Sequence, residues 1–444
     1  MPDDNDKTSE MGERPLALGG TLVGAFGVVM VSLIFASALA YLFSIIMTRM
    51  LGKAGAFSNF NSLNSLFLIV FAGSSAIQTV ITKYVAEIEA GGESDRIHLL
   101  VHVLSRWLIW TGGIILLASA AVAWPLSQVL KLGSPVLVVA LGTYLASTLY
   151  LMLPYGLLQG EQRFMGLGAA SVAAAVLRIA FGVGLVAFGF GVLGALGAGT
   201  LAGLCLIGAI VFYYRGYFFG KADPVEDFHP ARVLRTFIPI ALGFFLLMFM
   251  TQIDVMLIKA VKGAVEADVY SYGALAGKAV LFFPVGISVV MFPRVSQLHV
   301  RGKSTRKVLG LSLLACFVLE CAVVGFYALF PDFTVMFFAG RHGKEMSRLT
   351  GVLGVPFVVF FGLVMAVFAI VYLLVYYQIA LNKRAFIVLL AVGAVAEVVG
   401  IALFHSTLPD VLLVMLVIAL VVMAANLVLS LTGTSSQKND QDPM

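Results

Sequence analysis

The feature that most constrains this chain is the recurrence, from Leu16 to Thr432, of uncharged apolar runs about 20 residues long. Wound as a helix at about 1.5 Å per residue, such a run matches the roughly 30 Å hydrocarbon layer of a bilayer. The composition agrees, with 61% apolar and 11% charged residues, against roughly 45–50% and about 25% in a soluble domain. A water-soluble globule is therefore excluded. Backbone amides in lipid must be paired within the segment or in a closed barrel, and these runs lack the period-two alternation of barrel strands. The sequence predicts an all-α integral membrane protein.

Twelve spans are predicted, over 17–48, 61–86, 104–124, 136–158, 166–188, 191–214, 236–260, 268–293, 308–330, 350–381, 385–404 and 410–432. They divide into an N-terminal six-helix bundle, 16–215, and a C-terminal one, 236–432, joined by a linker, 216–235. The polar tails 1–15 and 433–444 are too poor in apolar groups to fold alone and are expected to be disordered. Residues 1–15 lack the basic start of a secretory signal, so the first helix is expected to be retained. An even number of spans puts both termini on one side. Of the 28 Lys and Arg, 18 fall on that side, nine on the other, and Arg178 stays inside a span. Basic loops stay inside, which makes both termini cytoplasmic and the location the cell membrane.

An internal repeat supports the two-half plan. Arg49 at the end of the first span recurs as Lys259 at the end of the seventh, and Gly92-Glu93-Ser94-Asp95-Arg96 recurs as Gly302-Lys303-Ser304-Thr305-Arg306, both at an offset of 210. A repeat of six helices enters the membrane in the same sense each time. That predicts a pseudo-twofold along the membrane normal and a cleft between the halves.

Ionisable groups inside spans cost at least about 2.5–3.5 kcal/mol each, so they are expected to face protein or water. Arg178, Asp254, Lys278, Glu320 and Glu397 are of this kind, with Arg49 and Lys83 nearer helix ends. Arg178 has no counter-charge on its own helix, so its partner is either a glutamate from another helix or a ligand. Lys278 has a stem long enough to snorkel. Span two carries a polar stripe of Asn61, Asn64, Ser75, Gln78 and Thr82, suited either to sugar hydroxyls or to interhelical hydrogen bonding.

Other features point away from chemistry. Cys205, Cys316 and Cys321 lie in apolar runs and read as inert thiols. His98 and His102 lack a third ligand of matching spacing and lie in an amphipathic surface segment, so no metal is expected. The Gly-rich run 189–203 has no phosphate-binding lysine and reads as close helix packing. The segment Pro331–Arg348 reads as a solvated outer loop. No cofactor and no nucleic-acid partner is predicted.

Several short motifs, in order, carry a resemblance: Met47-Thr48-Arg49-Met50-Leu51-Gly52, Ile81-Thr82-Lys83-Tyr84-Val85-Ala86-Glu87, Leu157 through Phe164, Asp254, and Phe283-Pro284 with Met291-Phe292-Pro293-Arg294. In these the chain resembles prokaryotic oligosaccharide (polysaccharide, O-antigen-type) flippases of the multidrug/oligosaccharidyl-lipid/polysaccharide (MOP) superfamily. It departs from them after Gly52, where Lys53-Ala54-Gly55-Ala56-Phe57 stands in place of an acidic residue and a glycine before the aromatic.

The resemblance implies two six-helix halves around a central cleft that carry a polyprenyl-diphosphate-linked oligosaccharide from the inner to the outer leaflet by alternating access. It further implies membrane lipids and envelope glycan assembly proteins as partners, and no enzymatic activity. On this reading Arg178 and Lys278, with Arg49 and Lys83, face the diphosphate, and Asn61, Asn64 and Gln78 face sugar. Asp254, Glu320 and Glu397 are the candidates for coupling to H⁺ or Na⁺. Two alternatives stand beside it: a cation-coupled multidrug exporter, and a membrane-embedded polysaccharide polymerase or glycosyltransferase.

Overall fold

The computed structural model describes residues 18–90, 95–219, 230–347, 349–351 and 354–432. The tails, half of the linker (220–229), and Gly92–Ser94 of the repeated motif lie outside these residues. The N-terminal half consists of α1 (Leu18–Met50), α2 (Ala56–Phe71), α3 (Ser75–Ala90), α4 (Asp95–Val129), α5 (Val136–Gly160), α6 (Phe164–Leu185), α7 (Gly191–Tyr213) and the short α8 (Arg215–Phe219). The C-terminal half consists of α9 (Pro230–Val261), α10 (Ala264–Lys278), α11 (Phe282–Val300), α12 (Arg306–Leu329), α13 (Pro331–Ala339), α14 (Lys344–Ser347), α15 (Phe357–Ala380), α16 (Ala385–Leu403) and α17 (Leu408–Thr432). Among the described residues, ten apolar helical stretches are long enough to cross a membrane, and one of them, Phe164–Tyr213, contains two passes. The pair α2 and α3 completes twelve. The protein is a multi-pass all-α membrane protein.

Span two differs from the continuous helix its apolar pattern predicts. It stops at Phe71 and restarts at Ser75. Gly73 is a poor helix former, and the Ser74 hydroxyl donates to the Phe71 carbonyl at 2.7 Å, competing with the helical ladder. Span eight is likewise interrupted, by a 3₁₀ turn over Ala279–Leu281 immediately after Lys278. The outer segment after α12 is a correction to the expected solvated loop: it folds as α13, and Thr334, Val335, Phe338 and Ala339 are buried.

Burial separates the packing faces from the lipid faces. In α15, Val364, Met365, Phe368 and Val371 are fully buried, making it the central pass of its half. Trp110, Leu117, Phe188, Val392 and Leu403 are exposed on the periphery, where acyl chains replace water and an apolar surface carries no penalty.

At the end of the bundle away from the termini the halves are tied together. Asp268 of α10 accepts hydrogen bonds from the backbone N–H groups of Gly55 (2.5 Å) and Ser58 (2.7 Å) at the start of α2, where the helix dipole favours an anion. Lys259 donates to the Ser58 hydroxyl at 3.1 Å, Thr48 to the Phe338 carbonyl at 2.9 Å, and Arg49 to the Phe337 carbonyl at 3.0 Å. Gly55 has φ +80°, and an added Cβ would stand 3.0 Å from the Ala264 Cβ. Only glycine meets both conditions without strain.

Candidate functional site

A cavity of about 340 Å³ lies between the halves. From the N-terminal half it is lined by Ser37, Tyr41 and Ser44 of α1, Asn61, Asn64 and Phe67 of α2, and Arg178 of α6. From the other half come Thr251 and Gln252 of α9, Leu275 and Lys278 of α10, and Phe282 of α11. Its wall therefore carries one cation from each half among hydroxyls, amides and aromatic rings.

Among the described residues Arg178 is held without an acid. Its Nη2 donates to the Asn64 side-chain carbonyl at 3.2 Å, and its guanidinium carbon lies 4.5 Å from the Phe43 ring centre and 5.2 Å from that of Tyr144. Tyr144 in turn stacks on Phe67 at 4.1 Å. Ring faces stabilise a desolvated cation by about 0.5–2 kcal/mol each without neutralising it. The Nε of Arg178 is buried with no hydrogen-bond partner among the described residues. A buried donor is normally paired, so this atom is a donor in reserve.

Lys278 is held by acids and an amide. It donates to Asp254 Oδ1 at 2.8 Å and to Gln252 Oε1 at 3.3 Å, and Gln252 Oε1 also accepts from Ser65 of the other half at 3.1 Å. Asp254 is fully buried, and its other oxygen accepts from the Tyr270 hydroxyl at 2.9 Å. Glu397 of α16 is also fully buried, within electrostatic reach of both Asp254 and Lys278. Neither of its carboxyl oxygens has a hydrogen-bond partner among the described residues.

The remaining predicted residues fall elsewhere. Asn61 and Asn64 line the cavity, but the break in span two turns Gln78 and Thr82 away from it. Both donate to Gln159 of α5, at 2.9 Å and 3.2 Å, tying the N-terminal half to itself. The stripe on one face is thus two separate polar patches. Arg49 sits at the tie between the halves at the end away from the termini, and Lys83 is exposed on α3. Glu320 lies on α12 outside the cavity lining, where it accepts from the Cys316 thiol at 3.0 Å.

His98 packs edge-on against Tyr217 at 5.1 Å, and among the described residues no group of His, Cys, Asp and Glu could hold a metal ion. Several site residues were not anticipated from sequence, among them Ser37, Ser44, Phe67, Phe43, Tyr144, Tyr41 and Tyr270. Aromatic residues in apolar spans give no sequence signal that separates a cation's clamp from ordinary core.

A larger groove, about 710 Å³, lies between α6 and α7 and is lined mostly by Ala, Leu, Met, Ile and Phe, with Gln162, Arg163 and Tyr213 as its polar side chains. It is a less suitable site, because groups that could recognise a polar ligand are few and lie at one end. Glu161 accepts from the Tyr214 hydroxyl at 2.6 Å and pairs with Arg163 at 2.8 Å. Burial, reinforced by Glu161, pushes the Tyr214 hydroxyl well above its ordinary pKa.

No family model and no curated protein sequence matches this chain. Solved structures do. The inward-facing conformation of a multidrug resistance MATE family transporter of the MOP superfamily superposes with a TM-score of 0.67 at 15% identity, over 88% of this chain and 94% of that one. Its outward-facing conformation gives 0.65 at 15% identity, over 94% and 96%. The lipid II flippase MurJ, in an inward closed conformation, gives 0.68 at 11% identity, over 90% and 86%. The fold is accordingly the one these structures share, and it extends over nearly the whole chain.

Proposed function

We propose that this protein is a non-enzymatic carrier that moves a lipid-linked oligosaccharide diphosphate between leaflets of the cell membrane by alternating access. The observation that carries the reading is the pair of cations, Arg178 and Lys278, on opposite walls of one inter-half cavity. Withdrawing a diphosphate from water requires charged donors to replace its hydration, and a guanidinium meets phosphate oxygens in a two-pronged geometry. Asn61, Asn64, Ser37 and Ser44 supply amides and hydroxyls for the neighbouring sugar. Solved relatives of the fold in both inward-facing and outward-facing forms support the alternating-access part of the reading.

Buried acids beside the cavity supply a place for coupling. Asp254 and Glu397 form one cluster, and the bare oxygens of Glu397 are the feature in the described residues that most favours uptake of H⁺ or Na⁺. The same acids, with a fold shared by a multidrug MATE transporter, favour a second reading as an exporter of cationic compounds.

The deciding experiment depletes the protein and measures lipid-linked sugar in the inner leaflet. Accumulation is expected, with restoration by the wild-type protein and none by the Arg178→Gln/Lys278→Met double variant present at equal level in the membrane. Full restoration by that variant rejects the assignment of the cations. Loss of cationic-drug resistance without accumulation favours the exporter. Uptake into vesicles under imposed proton or sodium gradients tests the coupling, and indifference to both leaves the acids as structural partners.

A further inference from the structure

Lys278 belongs to two places at once. Its side chain lines the cavity, yet its ammonium is already engaged by Asp254 at 2.8 Å. Among the described residues Arg178 across the cavity is engaged by no carboxylate, but by Asn64 and two rings. The two cations are therefore unequal: one is available and the other is neutralised.

We propose that Asp254 is an internal competitor for Lys278, holding the ammonium when the cavity is empty, yielding it to an anionic phosphate headgroup on binding, and retaking it to expel the headgroup. This rests on the anionic-substrate reading above and makes Asp254 the residue that sets release. The geometry suits an exchange. Lysine's charge sits on a flexible four-carbon stem with three donors, and Lys278 is the last residue of α10, where the helix passes into the Ala279–Leu281 turn. Asp254 keeps the Tyr270 hydroxyl when the lysine leaves, so the bare carboxylate retains one donor. Arg178, clamped between rings, is the fixed anchor.

The exchange also answers a kinetic requirement. Two permanently free cations would hold a diphosphate tightly in either orientation of the carrier, and slow dissociation would limit turnover. A built-in carboxylate lowers the affinity and speeds release.

The test uses inorganic pyrophosphate and the full-length protein in nanodiscs. Asp254→Asn is expected to tighten pyrophosphate binding about tenfold, because Lys278 loses its competitor. Adding Lys278→Met is expected to abolish that gain. Because Asp254→Asn leaves a buried ammonium unpaired and can fail to fold, a second measurement uses the wild type. With ¹³C-labelled aspartate, saturating pyrophosphate should alter a carboxylate infrared band, and the change should be absent in Lys278→Met. Pyrophosphate that binds through Arg178, with neither tightening in Asp254→Asn nor an infrared change, overturns the competition and leaves the anionic site standing. Failure of wild type and Asp254→Asn alike to bind pyrophosphate removes the anionic site and the competition with it.

Discussion

The two walls of the cavity solve the same problem in opposite ways. On the N-terminal wall Arg178 is kept charged and open by Phe43, Tyr144 and one amide oxygen, with its Nε unused. On the C-terminal wall Lys278 is tied to Asp254, with Tyr270 and Gln252 completing the hydrogen bonds and Glu397 alongside. Aromatic faces lower the cost of burying a charge and leave it able to attract a ligand. A carboxylate lowers that cost further but spends the attraction. The difference teaches that a count of interior charges is a poor guide to what a cavity binds, because what surrounds each charge decides whether it is available.

The contrast can be broken most forcefully at Arg178. Arg178→Gln is expected to reduce transport at least about 100-fold, whereas Arg178→Lys keeps a fraction, since an ammonium lacks the planar fork. Complementation of a depleted strain, scored by inner-leaflet lipid-linked sugar, measures both. If the N-terminal wall holds the anchor, Lys278→Met should be milder than Arg178→Gln, and equal losses would erase the distinction.

Stability gives the reverse order. Asp254→Leu leaves the Lys278 ammonium buried without its partner, so a loss of about 3–5 kcal/mol is expected, most of it recovered in Asp254→Leu/Lys278→Met. Thermal unfolding in detergent micelles reads this, and a double variant no better than the single would break the pairing argument. Phe43→Leu should cost less, about 1–2 kcal/mol of cation stabilisation and packing, and should weaken pyrophosphate binding in proportion. Smallest of all is Glu320→Gln, expected to keep transport within about twofold because this acid contacts Cys316 away from the cavity. A transport defect as deep as that of an Asp254 variant would return Glu320 to the site.

Much of the plan was legible in the sequence, for physical reasons that also mark its limit. Hydrophobic length announces a span whatever it packs against, and an interior charge announces itself by its cost. The twelve passes, and Arg178, Lys278, Asp254 and Glu397 as interior groups, followed from those two facts, and the two-half plan from the repeat. The partners did not. Whether Arg178 meets a glutamate, a ligand or a ring depends on the approach of α1, α2 and α5 to α6, and nothing in the order of residues encodes that approach. Lys278, whose stem suited snorkelling to an interface, instead pairs with Asp254. The break in span two was equally hidden, because Ala72-Gly73-Ser74 differs little from the small-residue runs that continue as helix in α6 and α7.

That break divides the loyalties of one membrane pass. Above it, α2 is fastened to the opposite half through Asp268, Lys259 and Gln252. Below it, α3 is fastened to its own half through Gln159. Any rocking of one half against the other must therefore either strip α2 from its foreign partners or bend the pass where no side chain crowds Gly73. The second span thus works as a tether with a knuckle, and the stiffness of three residues sets how far the two bundles can part before the fastening at α2 has to let go.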